Sequence, residues 1–234
     1  MQLFASAIER APVPHVKVFD MNKAYEEVQA SFNKVAAEWD NNPTRVALAG
    51  AVVKAIRAAV PLRAEMQVMD FGAGTGLVTL GLLASVNSVT AVDASGEMLR
   101  VLDEKLRSLR IGNVHTLQCD ISRAPLPANQ FDLVVSSMVL HHLPEVPPVI
   151  QRLRPCLRPG GWIALADLDT EDGSFHPDMT GVFHKGLDRS EVCKLLEKAG
   201  FSNVAVSTAH TITRTTANCD VRHYGVFLVS GRAI

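Results

Sequence analysis

Two spacings of apolar residues divide the chain. Between about Asn22 and Trp39, Val28, Phe32, Val35, Ala36 and Trp39 fall on one helical face. "DNNP" interrupts that pattern, and Asn42-Pro43 supplies an N-cap and a first-turn proline for a second helix. Its apolar side carries Ala49, Val52, Val53, Ile56 and Val60, and Pro61 ends it. From Met66 onward the apolar residues come instead in short runs separated by helical stretches. "QVMDFG", "SVTAVDAS", "VHTLQCD", "FDLVVSSMV" and "WIALADL" read as five strands. Helices are predicted over about Leu77–Ala84, over the register of Leu99, Leu102, Leu106 and Leu109, and from about Val146 to Cys156. "LRPGG" reads as a turn before the fifth strand. Alternation of this kind implies βαβ units and a parallel sheet covered on both faces.

The last third breaks the alternation. "DRSEVCKLLEKAG" starts with Asp188 at an N-cap, has Glu191 three residues on in a capping-box arrangement, and stops at Gly200. Two strands follow near Val204–Thr213 and Tyr224–Ser230. Their linker is too short for a crossover helix, so they should pair antiparallel. No repeat, low-complexity tract or domain linker interrupts the chain. The expected organisation is an N-terminal arm (1–21), then a single domain (22–234) made of a helical segment (22–61) and a core (66–234).

Composition narrows the function classes. The chain has 234 residues, is 47% hydrophobic and carries a net charge of −1. That length and apolar content support a sizeable core, and the even charge balance offers no broad attraction to nucleic acid or to an anionic membrane. No run reaches the roughly 18 uncharged apolar residues of a membrane helix. The N-terminal stretch lacks a secretory apolar core. Cys119, Cys156, Cys193 and Cys219 are far apart, with neither zinc spacing nor a disulfide framework, which fits free thiols in a reducing, cytoplasmic compartment.

Candidate chemistry begins at "DFGAGTG". Gly72, Gly74 and Gly76 lie between a strand and a helix, where glycine permits positive φ and close approach of a ligand to the backbone. Asp93 ends the next strand about 20 residues on, as a ribose-binding carboxylate does. These residues together imply a nucleoside-containing ligand. The spacing is G-x-G-x-G, and the third position of a dinucleotide turn is occupied by Leu77. Asp70, at the strand end, would repel a pyrophosphate and suit an ammonium group. Both features favour a ligand with an amino-acid end over NAD.

The ordered motifs "VMDFGAGTG", "AVDASGEML", "LQCDIS", "FDLVVSSMVLHHLPE", "LRPGG" and "LLEKAGF" resemble the class I S-adenosylmethionine-dependent methyltransferases, in the small-molecule group called type 11. The resemblance runs from about Phe32 to the C-terminus. It implies a Rossmann-like, doubly wound α/β fold with a seven-stranded, mostly parallel sheet, an antiparallel last strand and a helical N-terminal lid. It also implies S-adenosylmethionine as cofactor. Asp70 and the Gly72–Gly74–Gly76 turn would hold its methionine part, and Asp93 its ribose. Ala94 and Met98 would lie beside the adenine, Asp120 would accept from the adenine amino group with the Ile121 backbone nearby, and Ser136 would border the sulfonium. Trp39 would cover the sulfonium face or simply pack in the helix core. Arg45 would pair with the methionine carboxylate or be a surface charge.

The same resemblance makes His141 the candidate general base and Asp167 its orienter, set against a purely structural role for both histidines. His142 would pack locally. A metal role for His141-His142 is disfavoured, because neighbouring side chains project in different directions and rarely reach one ion. No metal is therefore expected. "DLDTEDGSFHPD", carrying Asp167, Asp169, Glu171, Asp172, His176 and Asp178, is a solvated acidic loop or a rim attracting cationic or polar substrates. Serines occupy the place after the fourth strand where metal-assisted relatives carry acids and amino-methylating nucleic-acid enzymes carry [DN]-P-P-[FY]. The expectation is thus methyl transfer to a small-molecule acceptor. The rivals are an NAD(P)-dependent oxidoreductase and a non-catalytic, cofactor-binding regulatory partner.

Overall fold

A computed structural model describes residues 21–121, 124, 126–215 and 220–234. Residues 1–20 of the expected N-terminal arm, together with Cys219, lie outside the described residues. In chain order the elements are α1 (Met21–Val35), α2 (Pro43–Ala59), β1 (Gln67–Phe71), α3 (Leu77–Leu83), β2 (Ser88–Asp93), α4 (Gly96–Leu109) and β3 (Val114–Gln118). These are followed by β4 (Phe131–Ser137), α5 (Val146–Leu153), β5 (Leu157–Leu168), α6 (Arg189–Lys198), β6 (Phe201–Thr215) and β7 (Val221–Ala233).

The seven strands form one sheet in the order β3-β2-β1-β4-β5-β7-β6. β1 to β5 run parallel, and β7 is antiparallel to both β5 and β6. The fold is therefore doubly wound, as expected. Chain direction across the sheet reverses between β1 and β4, which opens a crevice at the carboxyl ends of those strands. Alternate side chains of β4 feed opposite faces. Leu133 and Val135 join Val52, Ile56, Leu82 and Leu102 from α2, α3 and α4 on one side. Val134 joins Val149, Ile150 and Leu196 from α5 and α6 on the other. Helix α2 crosses α3 closely, because a Cβ on Gly81 would meet Val53 Cγ2 at 2.7 Å.

Local signals explain most boundaries. The Asn42 side chain accepts from the Thr44 N–H at 2.9 Å and starts α2 with Pro43 behind it. Asp188 caps α6 by accepting from Ser190 and Glu191, whereas Glu191 pairs with Lys194 and does not complete a capping box. Three expectations are corrected. The first helix tightens into a 3-10 segment over Ala36–Asn41, before Trp39 and Asp40 are passed. Leu109 is 60% exposed, because α4 ends there and Arg110 turns left-handed at φ 55°. "LRPGG" is part of β5: the sheet absorbs the residues between Leu157 and Trp162 as a register shift against β4, with Gly160 at φ 75°. The last two strands are also longer than their apolar runs: β6 is largely exposed at the sheet edge, and β7 begins with exposed and half-buried residues before its buried run.

No helix among the described residues is long and apolar enough to cross a membrane. Cys119, Cys156 and Cys193 are free thiols.

Candidate active site

The carboxyl ends of β1, β2 and β4, the loop after β5 and the N-terminal helical segment enclose a cavity of about 720 Å³. That is the size of a nucleoside ligand plus a small partner. Asp70, Phe71 and the turn that follows form one wall, and Asp93, Ala94, Ser95 and Met98 continue it.

The three glycines of the turn do different work. Gly72 (φ 67°) and Gly76 (φ 83°) are packed: a Cβ would meet Val139 Cγ2 at 2.2 Å and Leu102 Cδ1 at 2.3 Å. At Gly74 (φ 54°) nothing lies closer than Met98 Sδ at 3.9 Å, so the backbone there faces the cavity. The Gly74 N–H donates to Asp93 Oδ2 at 2.7 Å and the Ser95 N–H donates to Oδ1 at 2.8 Å. Each carboxylate oxygen keeps a further acceptor site, so Asp93 can still receive two ligand hydroxyls. Burial pushes its carboxyl pKa up, against those N–H donors.

Asp70 is buried and accepts from the Thr79 hydroxyl at 2.6 Å. Burial raises its pKa to about 7, with Asp93 adding to the rise and Thr79 opposing it. An ammonium group arriving beside it would supply the missing counter-charge. The set of Asp70, an open Gly74 backbone and a two-oxygen acceptor at Asp93 fits the amino-acid and ribose parts of S-adenosylmethionine.

Other expected cofactor residues are sorted by the geometry. Ala94, Met98 and Ile121 line the cavity. Asp120 is half-buried and is not among the lining residues, although Cys119 and Ile121 on either side of it are. Ser136 is likewise absent from the wall: its hydroxyl donates to the Phe71 carbonyl at 2.8 Å, and Ser137, Met138 and Val139 line the cavity instead. Ser136 and Ser137, as successive strand residues, point to opposite faces of the sheet. Trp39 and Arg45 both line the cavity, but Arg45 lies over the indole ring at 3.7 Å. One face of Trp39 is thus already covered by a cation of the protein. Burial, then Arg214, lowers the Arg45 pKa.

The N-terminal segment is tied down by contacts that spacing does not reveal. The Thr75 hydroxyl donates to Asp40 at 2.5 Å, the Lys105 ammonium donates to the Thr75 carbonyl at 2.6 Å, and Lys105 pairs with Asp40. The Ser95 hydroxyl donates to Asn33 Oδ1 at 2.6 Å.

At the ends of β4 and β5, His141 Nδ1 lies 2.6 Å from Asp167 Oδ1, both side chains being buried. Asp167 also accepts from the Leu140 and Leu168 N–H groups, each at 2.7 Å. Burial alone would raise its carboxyl; His141 and these donors outweigh burial and hold it below its ordinary value. His141 Nε2 is buried without a hydrogen-bond partner and its residue lines the cavity. The expected pairing of these two residues is therefore present.

The expectation that the second histidine turns away is corrected. Leu140–His142 is a 3-10 turn, and the two rings lie 4.1 Å apart, tilted by 42°. His142 also lines the cavity, with Nδ1 2.7 Å from the Gly181 carbonyl and Phe32 edge-on to its ring. Burial, then His141, depresses its pKa to about 3. His176 joins them from the loop after β5, its ring 5.1 Å from that of His141. Burial, then His141 and Arg214, lowers its pKa to about 4.

Most acids of that loop serve structure. Asp169 makes a two-point pair with Arg189, Glu171 accepts from the Gly173 and Phe175 N–H groups, and Asp172 pairs with Arg222. Of the expected rim only His176 and Asp178 line the cavity, while Asp167 is buried behind His141. Sequence reasoning missed Arg214, which stacks on Phe175 at 4.1 Å. No local signal on an edge strand marks it.

Residues 69–165 match a family model described as a methyltransferase domain. An uncharacterized methyltransferase of Schizosaccharomyces pombe is 31% identical over 171 residues, covering 67% of this chain and 58% of that relative. The chain thus spans a little over half of that relative's length. Among solved structures, a SAM-dependent methyltransferase from Aquifex aeolicus superposes with a TM-score of 0.62 at 22% identity, over 88% of this chain and 98% of that one. A Haemonchus contortus phosphoethanolamine N-methyltransferase in complex with S-adenosyl-L-methionine gives 0.64 at 15% identity, over 86% of this chain and 60% of that one. These two likenesses concern the fold.

Proposed function

The chain belongs to the class I S-adenosylmethionine-dependent methyltransferases, and on that basis we propose that it methylates a small-molecule acceptor. The observation that carries this reading is the turn between β1 and α3, where the Gly74 backbone opens onto the cavity between the carboxylates of Asp70 and Asp93. Asp70 and the turn would hold the methionine part of S-adenosylmethionine, Asp93 the ribose, and Ala94, Met98 and Ile121 the adenine. Bound there, the cofactor supplies an electrophilic methyl group.

The protein's own contribution is alignment, exclusion of water and a proton acceptor. The acceptor occupies the remainder of the cavity, lined by His141, Phe175, His176 and Arg214. It is aligned there for in-line displacement. In its neutral form His141, with Nδ1–H held by Asp167, would present a lone pair at Nε2 and take the acceptor's proton. Residues 22–61 act as a lid, supported by the position of Phe32, Trp39 and Arg45 on the cavity wall. The near-neutral charge supports a small molecule over nucleic acid, and the free thiols support a cytoplasmic setting.

Calorimetric titration with S-adenosylmethionine, followed by labelled-methyl transfer to a fractionated small-molecule extract, tests the reading. Stoichiometric binding and a labelled product of low mass are expected. Binding of NADH in place of S-adenosylmethionine would overturn it, and cofactor binding with no labelled product from any fraction would leave a regulatory subunit as the better description.

A further inference from the structure

One ring nitrogen from each of His141, His142 and His176 lies within 4.8 Å of the others. The three rings come from two separate parts of the chain, the 3-10 turn after β4 and the loop after β5. Two of them are anchored from behind: His141 Nδ1 by the Asp167 carboxylate at 2.6 Å, and His142 Nδ1 by the Gly181 carbonyl at 2.7 Å. Both partners are acceptors, so each holds a hydrogen on Nδ1, and the neutral ring then carries its lone pair on Nε2. Metal-binding histidines carry this same outer support. Nε2 of His141 and of His176 is buried with no hydrogen-bond partner. Burying a polar atom without a hydrogen-bond partner is unfavourable, so the arrangement asks for a ligand.

We propose that His141, His142 and His176 form a three-histidine site for a divalent transition cation, with zinc as the best match. Imidazole donors suit zinc, iron, nickel and copper over magnesium or calcium. Three ligands leave a fourth position open toward the cavity, as catalytic zinc sites do. Zinc–nitrogen bonds of about 2.0–2.1 Å put tetrahedral ligands about 3.3 Å apart, so the cluster must contract. His176, on an irregular loop, is the ring placed to move. The charges around the site are mixed: Asp167 behind His141 and Glu171 near His176 favour a cation, whereas Arg214 opposes it.

A cation on His141 Nε2 takes the lone pair that the base role uses, so the two roles exclude one another. With the ion present, an acceptor oxygen binds the open position, and the cation lowers its pKa. That step rests on the methyl-transfer reading and points to acceptors with an ionisable oxygen. Cation binding itself does not depend on it.

The test is titration of the full chain, stripped with chelator and free of methyl donor, with Co²⁺ as a visible-absorbing probe and Zn²⁺ as competitor. Wild type and the surface control His223→Ala should bind one equivalent with four- or five-coordinate bands that Zn²⁺ abolishes. His176→Ala should lose at least about 100-fold in affinity, more than the 10–100-fold that disturbing an outer partner costs. X-ray absorption on the zinc-loaded wild type then counts imidazole ligands without any substitution, and three are expected. No cobalt bands at millimolar metal, an unchanged His176→Ala, or fewer than three imidazoles would each overturn the site. S-adenosylmethionine binding, measured separately, reports on the methyl-transfer reading whichever way the metal titration falls.

Discussion

The His141 ring and the Asp167 carboxylate are joined by a buried 2.6 Å hydrogen bond, and the opposite ring nitrogen, in a residue of the cavity wall, is buried without a hydrogen-bond partner. That relationship sets the first prediction. His141→Ala should leave S-adenosylmethionine affinity unchanged and lower turnover by about 10²–10⁴-fold, the usual contribution of a positioned base. Asp167→Asn should lower turnover as well, because an amide can hold the wrong tautomer. Single-turnover kinetics alongside calorimetric Kd values check both. Unchanged turnover in His141→Ala removes it from the chemistry.

Asp70 predicts a pH dependence. Its native pKa of about 7 lies above the ordinary 3.8, so between those values the native state binds more protons than the unfolded chain. This contribution to stability is complete below 3.8 and is lost as pH rises through about 7. The difference amounts to about 4 kcal/mol for ionising the group in place. Asp70→Asn should therefore be the more stable protein at about pH 8 and nearly equal to wild type at about pH 4. It should also bind S-adenosylmethionine more weakly, and wild-type affinity should rise with pH through 7. Denaturant melts at both pH values and calorimetry across the range decide the matter; a wild type more stable than Asp70→Asn at high pH contradicts the burial argument.

The glycine turn predicts two separable defects. Gly74→Ala puts a methyl group into open cavity space and should cost mainly cofactor affinity, with a left-handed backbone penalty of about 1–2 kcal/mol. Gly76→Ala carries the same penalty and drives its Cβ into Leu102, so its melting temperature should fall further. Equal melting temperatures would show that α4 yields at that contact.

Much of the frame was legible because its signals are local. Asn42-Pro43 and Asp188 start helices with their own side chains, and Val68, Val89 and Leu133 announce buried strands by composition. The turn carboxylates Asp70 and Asp93 were legible for the same reason. What escaped depends on contacts between distant residues. The loop after β5 carries His176 over the two histidines because the Phe183 and His184 N–H groups donate to the His141 carbonyl, and no spacing encodes that closure. Of the two serines at the end of β4, Ser137 lines the cavity and Ser136 does not, a distinction set by the strand's alternation and not by its end. Nothing in the local spacing shows that Arg45 lies on Trp39.

Arg45 and Arg214 carry the last prediction. Both line the cavity, and burial followed by the charge of Arg214 makes Arg45 harder to keep protonated than usual. Two guanidinium groups in one pocket repel, and an anion between or beside them relieves that cost. The cofactor's carboxylate would do so at Arg45. A hydrogen bond to a charged group is worth about 1.5–3 kcal/mol, or about 10–100-fold in affinity. Arg45→Gln should weaken S-adenosylmethionine binding by that factor while leaving the acceptor KM nearly unchanged. Arg214→Gln, farther along the wall beside Phe175, should do the reverse and raise the acceptor KM. If Arg45→Gln binds the cofactor as tightly as wild type, the guanidinium serves only to pack Trp39, and the carboxylate must be held by the turn alone.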